Sequence, residues 1–251
     1  MIKYVEKPNL PENPVETVAI SETAGEAIKK TEALGIKTIR ISPCGNLNDG
    51  IACHADLQLI HIGNNKVIIP ANAEHLFEQL KNLNFEVIND ENRLKREYPG
   101  DVPLNAQIIG KYIICNKKTV SRKVLTEAEK AGLTVIDVKQ GYTACSICVL
   151  NENAIITDDI GIFTAAQFFL NDVTLIEKNS IGLKNYNYGF IGGCCGKISK
   201  DTLAVNGSLM SHSDCNRIAD ALSRNNIKVL ELRNGRMEDI GGILPLTEKT
   251  P

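Results

Sequence analysis

Charge of one sign is what this 251-residue sequence lacks: 28 lysines and arginines face 30 aspartates and glutamates, a formal net charge of −2. A general nucleic-acid binder would show a basic excess, so that class is excluded. No window reaches the roughly 18 uninterrupted apolar residues of a membrane helix, and no membrane role is expected. The opening "MIKYVEKPNLPENP" lacks a signal peptide's apolar core, which predicts a cytoplasmic protein. Disulfides are rare in that compartment. The eight cysteines, Cys44, Cys53, Cys115, Cys145, Cys148, Cys194, Cys195 and Cys215, are therefore read as free thiols, most of them small core hydrophobes. Histidine is also scarce, and His61, His75 and His212 have no Cys or His at ligand spacing. "GGCCGKI" falls one residue short of a phosphate loop, and no hydroxyl follows Lys197. No metal and no cofactor is expected.

What is present is a repeat. "HADLQLIHIGNNKVIIPANAEHLFEQLKNLNFEVIND" reads as strand, turn, strand, helix and strand, with Leu76, Phe77, Leu80 and Leu83 on the helix's apolar face. The same order recurs three times, over 102–138, 141–178 and 188–233. Each second strand is short and β-rich: "KVIIP", "YIIC", "AIIT" and "TLAV". Asn72, Thr119, Asp158 and Ser211 are suited to start the helices that follow.

The chain ends supply halves of one more unit. Residues 14–42 hold a second strand, helix and third strand without a first, and 237–248, which contain "DIGGILPL", offer a first strand with nothing after it. Joined, they make a fifth unit and remove two sheet edges. The expected fold is α/β, a single domain over 1–251: a five-bladed ββαβ propeller closed by the C-terminal strand joining the N-terminal unit. Two strands before every helix argue against an open sheet of βαβ units.

This five-unit layout resembles the guanidino-group-modifying (pentein) superfamily, which includes arginine deiminase, dimethylarginine dimethylaminohydrolase and the amidinotransferases. The family pattern is a His-x-Asp on one blade, a cysteine in a Gly-x-x-x-Cys-Ser-like setting two blades on, and an acidic residue near Gly-Gly on the blade before the histidine. His54-Ala55-Asp56, Gly141 to Cys145-Ser146, and Glu238-Asp239 ahead of Gly241-Gly242 follow that cyclic order. The family's usual cysteine position falls near Pro245, so the resemblance implies a circular permutation.

The resemblance implies Cys145 as nucleophile with His54, Glu238 and Asp239 as its catalytic partners. Asp56, Asn105, Ser146, Gly192, Gly193, Cys194 and Cys195 are the expected substrate-binding residues. The chemistry is thiol attack on an amidine-like carbon, an imidazole carrying the proton and carboxylates holding the cation. The expected ligand is a small amidine- or guanidine-type molecule in the central channel. "CSICVL" reads as strand, where residues three apart face opposite ways, so Cys148 is assigned to the core. Two alternatives stay open. One is a non-catalytic ring that binds a ligand or partner, favoured by the missing second aspartate in "GFIGGCCGKI". The other is a thiol-lined metal site built from Cys145 with Cys194 or Cys195.

Overall fold

A computed structural model describes residues 2–250 as a mixed α/β fold of five small sheets. The first segment carries β1 (Lys3–Tyr4), β2 (Val15–Ser21), α1 (Gly25–Ala33) and β3 (Lys37–Ile41). The second has a one-turn helix, α2 (Ala55–Gln58), then β4 (Ile60–Gly63), β5 (Lys66–Ile69), α3 (Glu74–Lys81) and β6 (Glu86–Asn89). The third has β7 (Gln107–Ile109), β8 (Tyr112–Cys115), α4 (Arg122–Lys130) and β9 (Thr134–Asp137). The fourth has β10 (Ile147–Asn151), β11 (Ala154–Thr157), α5 (Ile160–Ala166) and β12 (Asp172–Leu175). The fifth has β13 (Cys195–Ser199), β14 (Thr202–Val205), α6 (Cys215–Arg224) and β15 (Lys228–Glu231), and the chain finishes in β16 (Ile243–Glu248).

In sheets two to five the first strand pairs antiparallel with the second, and the second pairs parallel with the third across the helix. The first sheet reaches the same pattern with β16 lying between β1 and β2, Ile243 opposite Ile20 and Leu244 opposite Ala19. Central strands are buried on both faces and read as continuous apolar runs, which removes the alternation of a half-exposed strand. In β5, Val67 and Ile69 pack with Ala19 and Leu246 of the first sheet, while Ile68 packs with Ile108 and Ile113 of the third. The same holds throughout. Separate apolar clusters join sheets three and four, and four and five, and a further one joins five back to one through Ala204, Val18 and Ile20.

Helix starts depart from the sequence reading. Side-chain caps come from Ser121, which accepts from the Val124 amide, and Asp159, which accepts from Gly161 and Ile162. Asp158, one residue earlier, turns inward instead and accepts from the Ile191 amide at 3.0 Å.

A second departure matters more for function. "CHADLQL" was expected to be a first strand, yet Ala55–Gln58 forms a helical turn, and the strand begins only at Ile60. Ala, Leu and Gln are good helix formers, and nothing β-branched opposes the turn. The Gln58 side chain also donates to the carbonyls of Ala52 and Ser42 at 2.6 and 3.1 Å, fixing the loop around it. Cys145 likewise precedes its strand, which starts at Ile147, and Gly192–Cys194 is a short 3-10 helix ahead of β13. Thus His54, Asp56, Asn105, Cys145, Gly192 and Asp239 all occupy the turn leading into the first strand of their sheet.

Candidate active site

Those lead-in turns come together. The His54 imidazole Nδ1 lies 3.9 Å from an Asp56 carboxylate oxygen and 3.7 Å from one of Asp239, and all three side chains are buried. His54, Asp239 and Cys145 line one cavity of about 250 Å3. It adjoins an outer cavity of about 680 Å3, to which His54, Asp239 and Tyr186 also contribute. Ligand pockets for drug-sized molecules run about 300–1,000 Å3, so the inner chamber suits something small.

Asn105 ties three segments together. Its Nδ2 donates to the Asp56 carbonyl at 3.0 Å and to the Cys145 Sγ at 3.2 Å, and its Oδ1 accepts from the Ala144 amide at 2.8 Å. The asparagine therefore fixes the thiol's position and the turn that carries it. Asp239 is held from both ends: Phe190 N–H donates to Oδ2 at 2.9 Å and Gly241 N–H to Oδ1 at 3.0 Å. Asp56 is different, because it is buried with no N–H or O–H donor to either carboxylate oxygen and only the Cys145 thiol beside it. Burial is the main reason its pKa rises to about 6, with Asp239 pushing the same way and His54 opposing. Burial and the two nearby carboxylates push the Cys145 thiol well above its usual range. Both effects favour the protonated thiol.

The two glycines expected to bind substrate serve close packing. A Cβ on Gly192 would lie 2.3 Å from the Ala144 carbonyl, and one on Gly193 would lie 1.9 Å from Asp239 Oδ1. The Gly193 amide also donates to the Cys145 carbonyl at 3.1 Å. Glycine is what lets this loop press against both functional segments.

The remaining expected residues lie elsewhere. Glu238 is half-exposed in the outer cavity and pairs with Arg233 at 2.5 Å. Ser146 is fully buried, with no partner for its hydroxyl. Cys194 and Cys195 point away from the inner cavity, both thiols donating to the Ile191 carbonyl at 3.1 and 3.2 Å, and they share a core cluster with Cys148. The eight cysteines are all free thiols, and among the described residues no group of three or more His, Cys, Asp or Glu is arranged to hold a metal. No helix among the described residues is long and apolar enough to cross a membrane.

The sequence reading missed the walls. Tyr142, Tyr186, Tyr188 and Phe190 surround the inner cavity, with Tyr142 and Phe190 stacked at 5.9 Å between ring centroids and Tyr188 edge-on to Phe190 at 5.7 Å. Tyr142 donates its hydroxyl to Asp101. The signal was available in "NYNYGF", an aromatic run in a sequence with only six tyrosines, six phenylalanines and no tryptophan.

Solved structures share this architecture. SxtG, an amidinotransferase from Microseira wollei in the saxitoxin biosynthetic pathway, superposes with a TM-score of 0.61 at 10% identity, over 100% of this chain and 98% of its own. The inosamine-phosphate amidinotransferase of Streptomyces griseus gives 0.62 at 12% identity, over 100% and 98%. A cysteine-to-serine variant of DDAH from Pseudomonas aeruginosa, complexed with citrulline, gives 0.56 at 12% identity over 92% and 96%. The chain thus has the fold of the guanidino-group-modifying superfamily. A family model described as "Family of unknown function (DUF6873)" matches residues 19–244, and the chain belongs to that family. No curated protein matches the sequence.

Proposed function

We propose that this protein is a thiol–imidazole enzyme that hydrolyses or transfers a C–N bond of an amidine or guanidine compound, and that its five sheets are the blades of a ring closed by β16. The convergence of His54, Asp239 and Cys145 on one small cavity carries the functional reading. The apolar clusters that join each sheet to the next, and the fifth to the first, support the ring. In this reading the chain opens at a different blade from the superfamily enzymes, a circular permutation.

The charge arrangement supports a cationic substrate. Two buried carboxylates, Asp56 and Asp239, face one imidazole, and an amidinium entering the cavity supplies the missing positive charge. The same cation lowers the pKa of the thiol beside it. Cys145 gives its proton to His54 and its sulfur bonds to the central amidine carbon. The C–N bond to the leaving amine then breaks, and His54 delivers a proton to that nitrogen. Water or a second amine then attacks the same carbon and gives a proton to His54, the C–S bond breaks, and the sulfur regains that proton.

The test is alkylation followed by peptide mass spectrometry. At pH 7.5, 2-chloroacetamidine, a cation, should label Cys145 at least about tenfold faster than neutral iodoacetamide, whose reaction should accelerate only above about pH 9. Cys145→Ala should remove the label, and His54→Ala should abolish any turnover. Labelling led by Cys44 or Cys215 defeats the reading. The alternative, a ring that binds its ligand without chemistry, draws on the thiol's burial and raised pKa. It predicts saturable amidine binding with Cys145 unmodified.

A further inference from the structure

We propose that the amidine of the substrate is carried on an apolar or aromatic group and not on an α-amino acid; this rests on the reading of Cys145 as nucleophile. The argument starts from how the inner cavity divides. Its polar groups are His54, Asp239 and the Cys145 thiol, on the three lead-in turns described above, together with Asn187 and the tyrosine hydroxyls, none of these last a cation. Around them stand Leu57 and the rings of Tyr142, Tyr188 and Phe190, with Tyr186 at the opening towards the outer cavity. A substrate whose amidinium pairs with Asp239 therefore rests its next few atoms against hydrocarbon and ring faces.

An α-amino acid would bring a carboxylate and an ammonium group to those walls. Among the described residues no lysine or arginine lines the inner cavity. The outer cavity has three cations, one of them paired with a carboxylate. Arg233 pairs with Glu238 at 2.5 Å, and Arg236 donates to the carbonyls of Ser180 and Asn179 at 2.8 and 3.0 Å. Among the described residues Arg236 and Lys184 pair with no carboxylate, but both are exposed side chains of the outer cavity and neither lines the inner one. A desolvated carboxylate without a counter-charge is strongly disfavoured, whereas each methylene buried against such walls strengthens binding roughly fourfold. The aromatic faces also tolerate the delocalised positive charge of the amidinium itself.

Three alkylators sharing the 2-chloroacetamidine group test this: the unsubstituted compound, its N-benzyl derivative, and the derivative built on the side-chain nitrogen of ornithine. The measurement is kinact/KI for Cys145, read by intact-protein and peptide mass spectrometry. The N-benzyl compound should exceed each of the other two by at least about fivefold, and Tyr186→Ala should cut its advantage over the ornithine compound by at least half. A smaller benzyl advantage, or an ornithine derivative that reacts fastest, overturns the inference and leaves Cys145's role intact. Failure of all three to label Cys145 removes the proposed function, and the inference with it.

Discussion

Asp56 is the residue that most constrains any chemistry here. A buried carboxylate with no N–H or O–H donor is costly unless it is protonated or meets a cation, and its rise to about pH 6 reports that cost. Asn105 is its structural counterpart, since one amide group bonds the Asp56 carbonyl, the Cys145 sulfur and the Ala144 amide. Asn105→Ala leaves the Ala144 N–H and the Asp56 carbonyl without these partners. Buried orphans of this kind cost about 1–3 kcal/mol. Chemical denaturation should show a loss of that size, and chloroacetamidine labelling of Cys145 should fall with it because the turn is no longer fixed.

At the scale of elements, the functional side chains sit where a loop becomes the first strand of a sheet. Such turns are free of ladder geometry, so their side chains can point along the strand axis towards a common centre, while the strands themselves stay rigid. The Gly192-Gly193 turn works by being thin. Gly193→Ala places a methyl group 1.9 Å from the Asp239 carboxylate, which must move. Overpacking of this sort costs about 1–3 kcal/mol. The expected result is a destabilised but folded protein whose Cys145 labelling by chloroacetamidine drops about tenfold or more, measured alongside circular dichroism.

For the whole molecule, two buried carboxylates make stability fall as pH rises, opposed by His61, whose pKa burial lowers to about 4. Burial raises Asp56 to about 6 and Asp158 to about 7, against an ordinary aspartate value near 3.8. Between about pH 4 and 7 the folded chain therefore holds protons that the unfolded chain has released. These groups make the fold less stable as pH rises through that window, the reverse of a salt-bridged carboxylate. Asp158→Asn keeps an oxygen for the Ile191 amide and removes one of the two titrations. Relative to wild type, its Tm should rise by about 3 °C or more on going from pH 5 to 7.5, read by scanning fluorimetry. A difference that shrinks as pH rises contradicts the assignment.

The β-rich second strands, the helices after them and the unpaired first strand at the chain's end were legible because they depend on local apolar pattern and on counting. "KVII", "YIIC", "AIIT" and "TLAV" each form a central strand, and "ILPLTE" finds its partner in β2. His54, Asp56 and Cys145 could be singled out because their residue types and order carry chemistry. The sequence could not show that Glu238 turns to solvent while Asp239 turns inward, since adjacent residues in an irregular turn have no fixed faces. Nor could it show that "CHADLQL" coils before its strand, because a bond from the Asp56 amide to the Gly241 carbonyl, on the far end of the chain, stabilises that turn. Local propensity and periodicity determined the elements. Only tertiary packing, which brings five distant turns to one point, decided which of their side chains meet.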